Sequence, residues 1–136
     1  MSGEGYLIDT NIFLEILLNQ QYANDCEKLL KKISKSKDSF YVSSFTLHSI
    51  EVIMTRNKQE IALVDFLLFF DKSKIIRIDT STSDEQYACK IMNESKLDFD
   101  DSIQLSLCKK SNLTIVSYDK HFDKTSIKRI EPSGLL

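Results

Sequence analysis

The stretch LDFDDSIQLSLCKKSNLTIVSYDKHFD, residues 97–123, decides the fold. Its acidic start, Asp98–Asp101, is typical of a helix N-terminus, and the apolar residues that follow recur at helical spacing. A short apolar run, Leu113–Val116, is typical of a buried strand, and Asp119 comes soon after it. The stretch therefore predicts a helix, then a strand, then an aspartate just beyond the strand.

The same alternation of strands and helices extends over the rest of the chain. The predicted strands are Tyr6–Ile8, Phe40–Val42, Lys74–Ile78, Leu113–Val116 and, with a weaker pattern, Ile127–Ile130. Helices are predicted after Asp9, over residues 21–35, from Ser44 to Arg56, over Glu60–Phe70, after the cluster at 79–84 and from Asp98. This order predicts a three-layer α/β/α sandwich around a mainly parallel sheet of about four to five strands.

Length and charge restrict the function. A chain of 136 residues without repeats or linkers predicts a single domain over residues 1–136. The 18 Lys and Arg against 20 Asp and Glu give a net charge of -2, which excludes a strongly basic DNA-packaging protein. Any contact with nucleic acid is therefore expected through a local patch.

Cysteine use and hydropathy predict the compartment. Cys26, Cys89 and Cys108 are odd in number and far apart, so we expect reduced core thiols. The apolar run Ile61–Phe70 is too short to span a membrane, and the N-terminus has no secretion signal pattern. We therefore expect a cytoplasmic protein that does not contact membranes.

Three aspartates fall at one edge of the predicted sheet. Asp9 and Asp119 each follow a strand, and Asp101 begins the helix before the fourth strand. Ligands bind beyond the carboxyl ends of parallel strands. Clustered carboxylates repel one another unless a cation is present, and acidic oxygen sites suit Mg²⁺ or Mn²⁺. Such an ion supports metal-assisted phosphodiester hydrolysis.

Simpler explanations remain open for the individual residues. Each aspartate alone is equally typical of a helix cap or a turn, and only their joint placement favours a metal site. His121 is close enough to Asp119 to contact a substrate, but a surface turn explains it too. His48 is equally typical of an ordinary helix residue. We assign neither histidine a role from the sequence.

Three segments in order resemble the signature regions of PIN-domain proteins, including VapC-like toxins. They are YLIDTNIFLEILL at 6–18, VSSFTLHSIEVI at 42–53, and the stretch at 97–123. The resemblance implies a PIN-like α/β/α fold and a metal-dependent ribonuclease that uses Mg²⁺ or Mn²⁺. The fixed separation of Asp101 and Asp119 is the most specific element of the resemblance.

The resemblance also assigns residues by position. Asp9, Asp101 and Asp119 look like the catalytic, metal-binding carboxylates of the family, with Asp98 as a supplementary ligand. Asn11 and Ser117 resemble the polar residues that line the family's pocket.

One position departs from the family pattern. Many members carry a Glu where this chain has Ser49, and Glu51 lies two residues later, about 200° round a helix. A shifted helix could still use Glu51 in the pocket, or Asp98 could replace the missing charge. The remaining alternatives are weaker metal binding and a protein that no longer cleaves.

The resemblance implies partners as well as a substrate. Relatives commonly dimerise, and toxins of the family are often neutralised by a small antitoxin. The apolar residues 66–70, or the helix near 44–56, are candidates for a homodimer interface, although a buried core helix explains 66–70 equally well.

Two further function classes are alternatives to the nuclease. The first is a non-catalytic PIN-like module that binds RNA or protein, for which Ser49 is the best support. The second is an aspartyl-phosphate enzyme or receiver domain. A phosphatase of that kind requires an acid two residues after Asp9, where this chain has Asn11. A receiver domain would have its acidic pair after the first strand instead of at residues 100 and 101.

Overall fold

The computed structural model describes residues 3–136, so the first two residues of the predicted domain lie outside the described part. The strands are β1 (Gly5–Ile8), β2 (Ser39–Ser43), β3 (Ile76–Ile78), β4 (Thr114–Val116) and β5 (Arg129–Ile130). The α-helices are α1 (Thr10–Leu17), α2 (Ala23–Ile33), α3 (Ser44–Arg56), α4 (Glu60–Lys72), α5 (Thr82–Ser95) and α6 (Phe99–Ser111). Short 3-10 helices cover Lys120–Lys124 and Pro132–Leu135.

The strands form one parallel sheet in the order β3-β2-β1-β4-β5. The strand β1 lies at its centre, and Leu7 is paired with Tyr41 of β2 and with Ile115 of β4. The predicted α/β/α class is therefore confirmed. The fifth strand is shorter than predicted, since only Arg129–Ile130 is in strand conformation.

Alternating side chains of the strands divide the core into two halves. Tyr6 and Ile8 belong to the half beneath α1, α2, α3 and α4, whereas Leu7 belongs to the half beneath α5 and α6. This alternation is the normal consequence of a pleated strand whose two faces are both covered. The carboxyl edge of the sheet lies between these two helix layers.

The helix α6 is buried over eight consecutive residues, Asp101–Cys108. It is enclosed by the sheet and by α5, against which it makes its most extensive helix contact. Asp98 caps its first turn, because the Asp98 carboxylate accepts a hydrogen bond from the Asp101 N–H at 2.9 Å. Four polar or charged residues are buried on this one helix: Asp101, Ser102, Gln104 and Ser106.

The apolar segment 66–70 of α4 is partly core and partly surface. Phe66 and Phe70 are buried, whereas Leu68 and Phe69 are exposed. The core explanation is therefore correct for Phe66 and Phe70, whereas the interface explanation stays a prediction for the exposed Leu68 and Phe69. Among residues 3–136, no helix combines the length and the apolar character needed to cross a membrane.

The prediction that the cysteines are core thiols is correct for two of them and wrong for the third. Cys26 and Cys108 are buried, and burial raises their thiol pKa to about 11 and about 12. Cys89 is exposed. It follows the buried Ala88 by one residue, and one residue turns an α-helix by about 100°, which carries its side chain to the outer face.

Candidate metal centre

The carboxyl edge of β1 and β4 brings the three predicted aspartates into one region. Asp9 directly follows β1 and caps α1, and its backbone N–H donates to the Val116 carbonyl of β4 at 2.9 Å. Asp119 lies three residues after β4 and caps the 3-10 helix Lys120–Lys124. Asp101 lies in the first turn of α6.

Asp9 is buried and surrounded by hydrogen-bond donors. Its Oδ1 accepts from the Thr10 N–H at 2.8 Å and from Gln104 Nε2 at 3.2 Å. Its Oδ2 accepts from Ser117 Oγ at 2.6 Å and from Asn11 Nδ2 at 3.2 Å. Burial raises the pKa of Asp9, and the bonds from Ser117, Thr10 and Gln104 partly oppose that effect.

The two predicted pocket residues join α1 to the end of β4. Asn11 Nδ2 also donates to Ser117 Oγ at 3.1 Å, and the Tyr118 N–H donates to Asn11 Oδ1 at 3.4 Å. Ser117 is fully buried, and its Oγ accepts from the Asp119 N–H at 2.9 Å. Asn11 and Ser117 therefore fix the positions of Asp9 and Asp119 relative to each other.

Sequence reasoning missed Gln104 and Thr46. Gln104 Nε2 donates to Thr46 Oγ1 at 2.7 Å as well as to Asp9, and Thr46 shares a hydrogen bond with Thr10 at 2.9 Å. Gln104 Oε1 is buried without a hydrogen-bond partner in the described chain. One signal was available, because Gln104 follows Asp101 by three residues and so shares its helix face.

Asp101, Asp119 and His121 form a compact group. One ligand atom from each lies within 4.8 Å of the others. His121 Nδ1 is 3.1 Å from Asp119 Oδ1 and 3.8 Å from Asp101 Oδ2. Burial, together with the negative charges of Asp119 and Asp98, raises the pKa of Asp101 to about 8.

Asp98 and Glu51 are placed differently from this group. Asp98 is exposed and caps α6, and its charge contributes to the raised pKa of Asp101. Glu51 instead pairs with His48, with Oε1 3.2 Å from Nδ1. Ser49, at the position where many relatives carry a Glu, follows Thr46 by one turn of α3 and shares its helix face.

The residues present fit a divalent cation. Asp101 and Asp119 supply carboxylate oxygens, and their crowding with Asp9 and Asp98 is the electrostatic arrangement that a bound cation relieves. Oxygen donors of this kind suit Mg²⁺ or Mn²⁺. Asp9, with four donors already on its two oxygens, is the least available of the three aspartates.

A family model for the PIN domain matches residues 6–128. The chain belongs to the PIN domain family. The match covers the sheet from β1 to the residue before β5 and includes every residue of the site. PIN proteins are generally metal-dependent nucleases, and the acidic group at the carboxyl edge agrees with that general property.

Solved structures of toxin proteins share the PIN fold of this chain. VapBC2 from Rickettsia felis, bound to a DNA fragment from its promoter, matches with a TM-score of 0.75 at 18% identity, over 93% of this chain and 98% of that one. VapC20 from Mycobacterium tuberculosis, a toxin that cleaves the sarcin-ricin loop, matches with a TM-score of 0.74 at 12% identity, over 90% and 95%.

A toxin-antitoxin complex from Klebsiella pneumoniae matches with a TM-score of 0.69 at 19% identity, over 93% of this chain and 97% of that one. At these identities the likeness establishes the fold. No curated protein matches the chain in sequence.

Proposed function

We propose that this PIN protein is a Mg²⁺- or Mn²⁺-dependent endoribonuclease that hydrolyses RNA phosphodiester bonds. The observation that carries the proposal is the grouping of Asp101, Asp119 and His121 next to the buried Asp9; burial, together with the negative charges of Asp119 and Asp98, raises the pKa of Asp101 to about 8. A folded protein keeps such repulsion where a cation offsets it. Family membership supports the nuclease class.

In this proposal each side chain of the site has a specific role. Asp101 and Asp119 hold the cation, with Asp9 as the third metal-binding carboxylate. The cation when bound supplies Lewis-acid polarisation and neutralises charge developing on a phosphate. Asn11 and Ser117 keep Asp9 and Asp119 in place through their hydrogen bonds. Asp98 remains a supplementary ligand, and Glu51 would reach the pocket only if α3 shifted.

Positive charge lies close to this acidic edge. Lys120 and Lys124 are exposed in the 3-10 helix that follows Asp119. Such residues attract the phosphate backbone of a nucleic acid without reading its sequence. They support an RNA substrate for a protein whose overall charge is slightly negative.

The test is cleavage of a mixed-sequence single-stranded RNA by the purified chain. We expect cleavage with Mn²⁺ or Mg²⁺ and none in EDTA. The cleavage rate should fall by at least about 100-fold in Asp101→Asn, because removing a group that stabilises charge in the transition state typically costs that much. Asp71→Asn, on the exposed end of α4, is the matched control and should cleave normally. Metal-dependent cleavage that survives in Asp101→Asn would contradict the assignment of Asp101.

A second candidate is a PIN module that binds RNA or protein without cleaving it. Ser49 favours it, because the position one turn after Thr46 lacks the carboxylate that many relatives carry. Calorimetry separates the two candidates. Mn²⁺ binding with cleavage supports the enzyme, whereas RNA binding without Mn²⁺ binding supports the module.

We also propose the remaining features by analogy with the toxin structures. Residues 1–136 would form one cytoplasmic PIN domain that acts as the toxin of a toxin-antitoxin pair. An apolar groove of about 370 Å³ between α1, α2 and α4 suits an apolar antitoxin segment; its lining includes Phe13, Leu17, Leu30, Ala62, Phe66 and Phe69. Two of the named complexes contain antitoxins, which supports this partner.

The other face of α4 suits a homodimer. Ile61, Val64 and Leu68 are exposed at helical spacing, so they share one apolar face. Light scattering of the purified chain, alone and after Val64→Lys, would test this interface.

A further inference from the structure

His121 is held beside the carboxylates by the short helix that carries it. Its backbone N–H donates to Asp119 Oδ1 at 2.9 Å, and the next residue, Phe122, is fully buried. Arg129 then fixes the far side of the turn through two bonds to the Asp123 carboxylate, at 2.9 and 3.1 Å. The turn is therefore anchored on both sides of His121, while the imidazole itself stays exposed.

The distances at His121 match those between ligands of a single cation. A six-coordinate ion with bonds of about 2.1 Å has neighbouring ligands about 3.0 Å apart and opposite ligands about 4.2 Å apart. His121 Nδ1 lies 3.1 Å from Asp119 Oδ1 and 3.8 Å from Asp101 Oδ2. Both distances lie between these two limits, and one ligand atom from each of the three side chains lies within 4.8 Å of the others, so the three groups are close enough for one ion to contact them all.

We propose that His121 is a direct metal ligand through Nδ1, so that the site is a mixed nitrogen and oxygen centre that prefers Mn²⁺ to Mg²⁺. The proposal rests on the proposed function, because it takes the cation at Asp101 and Asp119 as given. It adds a nitrogen ligand and a metal preference to that site.

The preference follows from ligand chemistry. Mg²⁺ favours oxygen ligands and retains its waters, whereas imidazole nitrogen suits transition metals. Coordination through Nδ1 requires the neutral tautomer with its proton on Nε2. The imidazole is 69% exposed, so water can satisfy that Nε2 proton.

His48 provides an internal control, because the chain has two histidines. It lies on α3, is 64% exposed and pairs with Glu51 instead of with the acidic group. Any imidazole signal from a metal bound at the site must therefore come from His121 or from His48, and one variant of each identifies the source.

The experiment is pulsed electron paramagnetic resonance on the untagged chain with one equivalent of Mn²⁺, in a buffer without amines. We expect ¹⁴N modulation from an imidazole ligand in the wild type and in His48→Gln, and its loss in His121→Gln. Calorimetry on the same samples should show Mn²⁺ binding weakened by at least about tenfold in His121→Gln, because even the loss of a residue that only orients a metal ligand typically costs that much. Mg²⁺ binding should change much less.

His121→Asp is the complementary variant. It replaces the nitrogen donor by oxygen, so Mg²⁺ binding should strengthen relative to Mn²⁺. Because His121 is exposed, neither variant removes core packing, and circular dichroism checks that each has folded.

Each outcome decides the proposal. Loss of the ¹⁴N signal in His121→Gln alone supports it. Tight Mn²⁺ binding without ¹⁴N modulation in the wild type overturns it and leaves the carboxylate site in place. Absence of Mn²⁺ binding in the wild type overturns this proposal together with the proposed function.

Discussion

The carboxylate of Asp9 and those of Asp101 and Asp119 lie at the same edge of the sheet but have different surroundings. The Asp9 carboxylate receives hydrogen bonds from Thr10, Asn11, Gln104 and Ser117. The side chains of Asp101 and Asp119 mainly face each other, other acids and one histidine. Burial raises the pKa of both Asp9 and Asp101, but protein donors oppose this at Asp9, whereas neighbouring acids add to it at Asp101.

The difference concerns how far the protein itself supplies hydrogen-bond donors to each carboxyl group. Asp9 caps α1 and links it to α6 and to the end of β4, so its carboxyl group is part of the hydrogen-bond network of the fold. Asp101 makes no comparable contribution, and its charge is unfavourable in the protein alone. The two carboxyl groups therefore differ in the number of protein donors that offset the cost of their burial.

The largest expected effect is an opposite change in stability on neutralising these two residues. In EDTA at pH 7, Asp9→Asn should lower the free energy of unfolding by about 1–3 kcal/mol, because the new amide faces donors that lose their acceptor. Asp101→Asn should raise it, because it removes repulsion with Asp119 and Asp98. Urea unfolding followed by circular dichroism measures both.

Repeating the measurement with Mn²⁺ tests whether Asp101 is needed for metal binding. The metal should stabilise the wild type and have little effect on Asp101→Asn, since a ligand stabilises only the form that binds it. A decrease in stability for both variants in EDTA would show that Asp101, like Asp9, has a structural role.

The next effect is a dependence of stability on pH. The pKa of Asp101 rises from 3.8 to about 8 on folding. Below pH 4 the carboxyl is protonated in both states, and at higher pH the unfolded chain loses this proton more readily. Without metal, the free energy of unfolding should therefore fall between about pH 4 and pH 8 by more in the wild type than in Asp101→Asn. Equal slopes in the two proteins would contradict the shifted pKa.

The smallest effect separates the two candidates for the missing family carboxylate. Asp98→Asn keeps a good helix cap but removes a charge near Asp101, so Mn²⁺ binding should weaken by about threefold, as for an exposed charge, with little loss of stability. Glu51→Gln should leave Mn²⁺ binding unchanged, because Glu51 pairs with His48. If a shifted α3 brought Glu51 into the site, calorimetry would instead show weaker Mn²⁺ binding in Glu51→Gln than in Asp98→Asn.

The order of strands and helices was predictable because each apolar run and each cap has a local pattern. Asp9, Asp101 and Asp119 were predictable as neighbours for the same reason, since parallel strands place their carboxyl ends at one edge. The exposure of Cys89 was not predicted, because a lone cysteine does not show by its residue type whether it lies on the buried or the exposed face of a helix.

Gln104 and Thr46 could not be identified from their residue types alone. A polar side chain inside a helix is usually solvated, and α6 is buried on all sides over Asp101–Cys108, so its sequence has no clear polar face. Their roles depend on the approach of α3 and α6 to Asp9, which is set by tertiary packing. The contact of His121 with Asp119 depends likewise on the 3-10 conformation of residues 120–124.

The central position of β1 has a consequence for synthesis. Asp9 emerges from the ribosome early, but its partner Ser117 and the ligand Asp119 come more than one hundred residues later. Because the site requires β4 to pair with β1, a growing chain that ends within α6 has no complete metal centre. If the proposed ribonuclease function holds, a chain built in this order cannot cleave the messenger and ribosome that produce it until translation is almost complete.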